Sequence, residues 1–145
     1  MNEQKFVKLL RFKQRIYKMR MTRLTSFLNY LTRFLFSCEI PASVVIGSNI
    51  VFAHYGLGVT IHGRTTIGDN VKIYQNVTIG SRNGEGPPRI GDNVLIGAGA
   101  CILGDITIGN NVQIGANAVV LHNIPDNSIA VGVPAKVISN NAENS

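Results

Sequence analysis

The sequence predicts an all-β solenoid, a parallel β-helix built from six-residue units and preceded by a short basic helical segment. Isoleucine recurs with a step of six, glycine often follows it, and a second apolar or small residue lies four positions past it. A period of six fits neither a helix nor an alternating strand, and hexapeptide units of this kind build parallel β-helices. The repeating isoleucines are Ile40, Ile46, Ile61, Ile67, Ile73, Ile79, Ile90, Ile96, Ile102, Ile108 and Ile114.

Residues 1–37, which precede the repeats, follow a helical period instead. Leucine and phenylalanine recur there at spacings of three and four, and nine of the fourteen Lys and Arg residues lie before Cys38 against one acidic residue, Glu3. This pattern predicts a basic amphipathic helix, in one or two pieces. We expect its apolar stripe to pack on the solenoid and cap its open end, with a peripheral membrane contact through residues 5–36 as the alternative.

The solenoid is predicted to span residues 38–138, with a flexible tail at 139–145. Asparagine and aspartate recur two and three positions past the isoleucine, where a left-handed backbone costs them least, and this predicts tight corners. Each unit buries its isoleucine only against the units above and below, so stability is expected to come from stacking.

Composition and motifs limit the cellular compartment in which the protein is expected and the classes of partner that it is expected to bind. Cys38 and Cys101 have no disulfide-framework spacing, and the chain has neither 18 uninterrupted apolar residues nor a signal-peptide pattern. These features predict a cytoplasmic protein, with the inner face of the membrane as an option. No groove-reading motif points to a nucleic-acid partner.

The repeat breaks in two places, and insertions in repeat proteins tend to carry function. The step from Ile79 to Ile90 is eleven and predicts a protruding loop at 81–89, whereas the step from Phe52 to Ile61 is nine and carries His54. A histidine can act as a general base when a carboxylate orients it.

Glu39 is the candidate carboxylate for that histidine. It precedes His54 by fifteen residues, close to one complete coil if three six-residue sides make a coil, so the two residues could lie on adjacent coils. The alternatives are a solvated histidine in a turn and an acidic residue at the boundary between helix and solenoid.

Several motifs together resemble the serine acetyltransferase group of hexapeptide acyltransferases, over about residues 39–138. They are Glu39-Ile-Pro, Ala53-His54-Tyr-Gly-Leu-Gly, Val77-Thr-Ile-Gly, Ile96-Gly-Ala-Gly-Ala, Ile102-Leu-Gly and Val131-Gly-Val-Pro-Ala-Lys136. The resemblance implies a left-handed parallel β-helix and a homotrimer. It also implies direct acetyl transfer from acetyl-CoA, bound between neighbouring subunits, to an acceptor hydroxyl, without a required metal.

The same resemblance assigns roles to individual residues. His54 matches the general base, and Glu39 matches the acid that orients it, with Glu in place of the Asp of the serine enzymes. The residues that match donor-binding positions for acetyl-CoA are Ser81, Gly97, Ala98 and Lys136. Small residues also suit corners and close coil packing, and Lys136 could be a solvated tail residue, so structural roles stay open for these four.

Two features of serine acetyltransferases are missing from this sequence: a long helical N-terminal domain and a histidine in the protruding loop, where this chain has Pro87. The shorter version is similar to the O-acetyltransferases of capsule, exopolysaccharide and lipopolysaccharide synthesis, including the colanic acid type. A sugar hydroxyl on a polysaccharide precursor is therefore the expected acceptor, and L-serine is the alternative. The expected acceptor contacts, which could equally be solvated surface residues, are His62, Arg64, Arg82 and Glu85.

Two further classes are less favoured. A metal-dependent protein related to the gamma-class carbonic anhydrases needs three histidines that meet across an interface, and His54, His62 and His122 lack the close pair that such a site requires. A non-catalytic trimeric scaffold would fit if the solenoid did not bind acetyl-CoA.

Overall fold

The computed structural model describes residues 3–139 and shows two helices followed by a long run of short strands. Helix α1 spans Glu3–Lys18 and helix α2 spans Thr22–Phe36. The strands in chain order are β1 Val45–Ile46, β2 Val51–Phe52, β3 Thr60–Ile61, β4 Thr66–Ile67, β5 Lys72–Ile73, β6 Thr78–Gly80, β7 Arg89–Ile90, β8 Leu95–Ile96, β9 Cys101–Leu103, β10 Thr107–Ile108, β11 Gln113–Ile114, β12 Val119–Val120, β13 Ser128–Val131 and β14 Lys136–Ser139.

These strands form the three sides of a prism. The first side stacks β1, β4, β7 and β10, the second stacks β2, β5, β8, β11 and β13, and the third stacks β3, β6, β9 and β12. Within each side neighbouring strands run parallel, and β14 adds to β13 as an antiparallel strand. The predicted parallel β-solenoid is therefore confirmed.

The core is built from columns of the repeating apolar residue. Phe52, Ile73, Ile96, Ile114 and Ala130 occupy equivalent positions on successive coils of the second side, and each is fully buried. In a two-residue strand one side chain points inward and the other outward, so the buried residue of each strand can pack only on the coils above and below. The six-residue period follows from this arrangement.

Coil length varies without disturbing the columns. Equivalent corner residues Ser48, Asp69, Asp92 and Asn110 lie 21, 23 and 18 residues apart. Three hexapeptides account for 18 residues, so the first two intervals carry three and five extra residues, and these lie in the two breaks of the repeat. The strands on either side of each break remain paired in register.

One corner carries a ladder of asparagines with left-handed backbone. Their side-chain amides hydrogen-bond from coil to coil at 2.9–3.1 Å, and all five have φ between 51° and 57°. The ladder consists of Asn49, Asn70, Asn93, Asn111 and Asn127. On every coil of the ladder after the first, the side chain of the preceding residue accepts a hydrogen bond from a backbone N–H of the previous coil. The hydrogen bond from Ser48 lowers the pKa of the Asp69 carboxyl. Asparagine and aspartate therefore form the corners, as predicted from their spacing.

The two helices pack against the first coil through α1. The ring of Phe6 is fully buried and meets Phe36 and Phe52 edge to face, with centroids 4.9 and 5.8 Å apart. Lys13, also on α1, is 1% exposed, and its ammonium donates a hydrogen bond to the carbonyl oxygen of Ile40 at 2.6 Å. None of the helices within residues 3–139 is long and apolar enough to cross a membrane.

Two of the boundaries expected from the sequence differ by one residue. Arg89 begins β7, so the protruding loop spans 81–88 rather than 81–89. Ser139 ends β14 and is part of a strand that pairs with β13, rather than the first residue of a flexible tail. The rest of the expected tail, residues 140–145, lies outside the described residues.

Candidate active site

His54 lies in a short 3₁₀ turn, Ala53–Gly56, at the corner between the second and third sides. Both His54 and Tyr55 have left-handed backbone, with φ of 52° and 58°, which costs about 1–2 kcal/mol for each non-glycine residue. The backbone N–H of His54 donates to the carboxylate of Glu3 on α1 at 3.1 Å. Helix α1 thus helps to hold this turn, and the imidazole projects to an exposed position.

A groove of about 440 Å³ opens at the His54 corner. It is lined by His54, Tyr74, Gln75, Leu95, Gly97, Ala98 and Ala116, which lie on successive coils. The structure therefore brings the predicted base together with two of the predicted donor-binding residues, Gly97 and Ala98. A side chain at position 97 would put its Cβ 2.6 Å from the backbone nitrogen of Ala116, so only glycine fits there.

Sequence reasoning missed four residues of this groove, among them Leu95 and Ala116. The other two are Tyr74 and Gln75. They follow Ile73 as Ala53 and His54 follow Phe52, and the pairing of β2 with β5 places them on the next coil. Aligning the residues that follow each repeating apolar position could have found them. The ammonium of Lys72 lies 4.9 Å from the centre of the Tyr74 ring, and its hydrogen bond to Tyr74 raises the pKa of Lys72.

Glu39 lies one coil before His54, at the start of the third side. It pairs in parallel with Thr60, the residue at which the His54 turn leads into β3. Its carboxylate contacts Arg33 of α2 at 3.5 Å, and both side chains are more than half exposed. The two predicted catalytic residues thus flank one corner but contact different partners in this structure, and their pairing stays a prediction.

The predicted acceptor residues lie at the next corner, between the third and first sides. His62 and Arg64 follow β3, where the backbone N–H of Arg64 donates to Nδ1 of His62 at 3.3 Å. Arg82 and Glu85 lie in the loop after β6, on the following coil, where the N–H of Glu85 donates to the Arg82 carbonyl at 2.9 Å. Within one chain these four residues share a corner that does not contain His54.

The remaining donor candidates are also apart from His54. Ser81 begins the loop and is exposed, so it belongs to the corner of the acceptor candidates rather than to the groove with Ala98. Lys136 is exposed at the start of β14, opposite Val131, at the C-terminal end of the solenoid. The structure brings together two of the four donor candidates.

No group of three His, Cys, Asp or Glu side chains within residues 3–139 is arranged to hold a metal ion. His54 and His62 lie on different corners, and His122 follows β12 at the far end of the solenoid.

Comparisons with known proteins identify the family. A bacterial transferase hexapeptide model of six repeats matches residues 87–122. A serine acetyltransferase of Staphylococcus xylosus is 44% identical over 126 residues, which make up 85% of this chain and 58% of that protein. The chain belongs to the hexapeptide-repeat transferase family.

Solved structures agree with this hexapeptide-repeat assignment. The serine acetyltransferase of Neisseria gonorrhoeae superposes with a TM-score of 0.88 at 33% identity, over 96% of this chain and 55% of that chain. A serine acetyltransferase of Brucella abortus in complex with coenzyme A gives a TM-score of 0.87 at 32% identity, over 92% of this chain and 54% of that one. The predicted left-handed β-helix is confirmed, and this chain spans little more than half the length of these proteins.

The comparisons also correct one expectation. We expected the greatest similarity to polysaccharide O-acetyltransferases of the colanic acid and capsule type, whereas the similar proteins and structures described above are serine acetyltransferases. That interpretation rested on Pro87 and on the short N-terminal helical segment, whereas the likeness to serine acetyltransferases extends over most of the chain.

Proposed function

We propose that this chain is the β-helix part of an acetyl-CoA-dependent O-acetyltransferase whose acceptor is L-serine. Support comes from the 44% identity to a serine acetyltransferase, and from related structures solved with coenzyme A and with serine. The observation that carries the proposal is the groove in which an exposed histidine, His54, faces the small residues Gly97 and Ala98.

In the proposed reaction His54 is the general base. It removes the proton of the acceptor hydroxyl as the oxygen attacks the thioester carbonyl, so that a C–O bond forms and the C–S bond breaks. The coenzyme A thiolate leaves and takes up the proton from the imidazolium. The small residues Gly97 and Ala98 leave the groove open for the thin pantetheine arm of the donor, and Ser81 and Lys136 are the further proposed donor contacts.

Glu39 is proposed to orient the His54 imidazole and to stabilise its protonated form. In this structure its carboxylate contacts Arg33, but that ion pair is exposed, and exposed pairs contribute at most about 1 kcal/mol. Rotation of the Glu39 side chain toward the His54 corner therefore costs little. The position of Glu39 beside Thr60, where the His54 turn ends, supports this role.

A homotrimer is proposed because the candidate residues are divided between two corners of the prism. His54, Gly97 and Ala98 lie at one corner, and the loop with Ser81 and Arg82 lies at the next. Three solenoids packed side by side around a common axis would set one corner of each subunit against a different corner of its neighbour. A complete site would then contain residues of two subunits.

A sugar hydroxyl is kept as a second candidate acceptor because of Pro87. This residue is buried in the loop and has no side-chain group that could bind the amino or carboxylate group of serine. Under this alternative, Arg82 and Glu85 of the same exposed loop would bind the sugar, together with His62 and Arg64.

The test measures thiol release from acetyl-CoA with L-serine in one series and polysaccharide-repeat sugars in another. We expect release with L-serine and a loss of about 10²–10⁴-fold in kcat for His54→Ala, the range expected for a general base. His122→Ala removes another exposed histidine and is the matched control, with activity unchanged. Circular dichroism and light scattering would show that both variants keep the fold and the assembly of the parent chain.

The outcomes separate the candidates. Release with sugars alone, lost in His54→Ala, would replace serine by a sugar as the acceptor. Failure to bind acetyl-CoA in calorimetry would overturn the enzymatic proposal and favour the scaffold. Equal losses in both histidine variants would show that neither change reports on catalysis.

A further inference from the structure

Helix α2 presents an aromatic stripe that its packing on the molecule does not explain. Phe27, Tyr30 and Phe34 recur at spacings of three and four, so they lie on one face of the helix, and their exposed fractions are 61%, 74% and 85%. The opposite face carries the buried residues Leu28 and Thr32. Large exposed apolar patches of this kind mark interaction sites in soluble proteins.

Cations accompany this stripe. Arg23 lies four residues before Phe27, on the same face of α2, and is exposed. The last residue of α1, Lys18, is exposed as well, and the turn that follows adds exposed Arg20 and the exposed side chains of Met19 and Met21. We call these residues, with Arg23, Phe27, Tyr30 and Phe34, the α2 outer surface.

Other basic residues of the segment have different partners. Lys13 is buried against Ile40, Arg11 donates to the backbone of Gly47, and Arg33 pairs with Glu39. Helix α1 carries the packing contacts with the first coil. The capping and membrane interpretations of the basic segment are therefore compatible, because they concern different helices.

We propose that the α2 outer surface docks peripherally on an anionic lipid bilayer. Aromatic rings are favoured at the boundary between headgroups and acyl chains, and lysine and arginine beside them are attracted to anionic headgroups. Helix α2 contains no acidic residue, so two copies meeting through this face would bring like charges together. Charge complementarity thus favours an anionic surface over a second copy of the chain.

The contact lies along the membrane surface rather than across it. Helix α2 has 15 residues, about 22 Å at 1.5 Å per residue, and its other face packs on the protein. Phe27, Tyr30 and Phe34 would insert their rings among the headgroups, and Lys18 and Arg23 would bind lipid phosphates. The solenoid would then be held beside the bilayer.

The experiment is co-sedimentation of the full chain with vesicles of phosphatidylcholine alone or of phosphatidylcholine with 30% phosphatidylglycerol. We expect at least tenfold stronger binding to the anionic vesicles, and weaker binding when the salt concentration is raised from 50 to 500 mM. Lys18→Gln/Arg23→Gln should reduce binding by about 25-fold, because each of the two basic residues near an anionic surface contributes about fivefold. Phe27→Ser/Phe34→Ser should reduce it by about tenfold or more.

Two control variants match these changes elsewhere on the surface. Arg64→Gln/Lys72→Gln removes the same number of charges from the solenoid, and Val133→Ser/Val137→Ser replaces two exposed apolar residues of the C-terminal hairpin. Both controls should bind anionic vesicles within about twofold of the parent chain. Thermal unfolding followed by circular dichroism would show that each variant is folded.

Several results would overturn the proposal. Equal binding to both kinds of vesicle, no binding by the parent chain, or equal loss in the control variants would each do so. Absence of vesicle binding together with a smaller oligomer for Phe27→Ser/Phe34→Ser would assign the surface to a second copy. Binding of a single-stranded oligonucleotide but not of vesicles would assign it to nucleic acid.

Discussion

The buried lysine of helix α1 makes protein stability depend on pH in a way that can be measured. Lys13 is 1% exposed, and its ammonium donates to the Ile40 carbonyl at 2.6 Å and to the Thr32 hydroxyl at 3.4 Å. Burial lowers the pKa of Lys13 from its ordinary value of 10.5 to about 8, and the neighbouring Cys38 partly opposes that shift. The charged form is therefore less favourable in the folded protein than in the unfolded chain.

The expected magnitude follows from this difference in pKa. About 2.5 pKa units correspond to about 3 kcal/mol at 25 °C. Between pH 8 and 10.5 the unfolded chain holds a proton on Lys13 that the folded protein has released, so the free energy of unfolding rises with pH across this window. Below pH 8 both states are protonated and the burial cost is fully present.

The perturbation is Lys13→Met, and Lys18→Met, an exposed lysine on the same helix, is the control. At pH 7 the methionine variant avoids the burial cost but leaves the Ile40 carbonyl without its donor, which costs about 1–3 kcal/mol. We therefore expect the free energies of unfolding of the parent chain and Lys13→Met to differ by less than about 2 kcal/mol at pH 7. From pH 7.5 to 10.5 the free energy of unfolding of the parent chain should rise by about 3 kcal/mol relative to that of Lys13→Met. Relative to that of Lys18→Met it should not change.

The assay is urea unfolding at fixed protein concentration, with reductant, at half-unit pH steps. Burial also raises the pKa of the Cys38 thiol, so the unfolded chain loses that proton first and stability falls above about pH 9. This contribution has the opposite sign and cancels between the parent chain and Lys18→Met. In Lys13→Met the Lys13 ammonium that lowers the Cys38 pKa is absent, so this variant loses more stability above about pH 9, which adds to the gain of the parent chain. A difference between the parent chain and Lys13→Met that stayed constant from pH 7.5 to 10.5 would refute the argument.

Two further predictions concern the corners. Asn93→Ala should lower the free energy of unfolding by about 1–3 kcal/mol, because it removes two amide hydrogen bonds of 3.1 Å and leaves alanine at φ 55°. Asn93→Gly should lower it less, because glycine adopts that left-handed backbone without strain. Equal losses for the two variants in urea unfolding would contradict this prediction. Gly97→Ala should cost about 3 kcal/mol and weaken acetyl-CoA binding in calorimetry, because the new Cβ meets the backbone of Ala116. Its matched control is Gly84→Ala in the loop, which has no atom within 4 Å of the new Cβ and should cost only about 1–2 kcal/mol without changing donor binding.

Much of the fold could be predicted from the sequence because each part of a stacked repeat has the same surroundings. An inward residue such as Ile73 meets only the equivalent residues of the coils above and below, so its identity and spacing are sufficient to place it. The corner residues are equally local, because the left-handed backbone of Asn93 depends on its own φ and on the adjacent coils. Periodicity therefore predicted both the core and the corners.

Contacts between the helices and the solenoid could not be predicted in this way. The buried position of Lys13 could not be predicted from the basic helical pattern, because its acceptor, the Ile40 carbonyl, lies 27 residues further along the chain. The ion pair between Glu39 and Arg33 of α2 was likewise not predicted. Both contacts depend on where a helix meets the first coil, and no repeat sets that position.

The site was predicted only in part, for a related reason. His54 and Ala98 were found from motifs, and the structure places them in one groove, but the same motifs said nothing about which corner each residue occupies. The loop with Arg82 and Glu85 belongs to another corner because it follows β6 rather than β2. To assign a residue to a corner, one must count the six-residue units from the start of the solenoid. The two breaks of the repeat shift that count.

The unequal coil lengths have a consequence for how such a molecule can change over time. The first two coils are three and five residues longer than the eighteen residues of three hexapeptides. The strands beside each insertion nevertheless stay paired in register. Residues can therefore be added or removed at a corner with little effect on the stacked interior. Selection can act on corner length almost independently of stability, so new chemistry at the edges of the prism does not require a new scaffold.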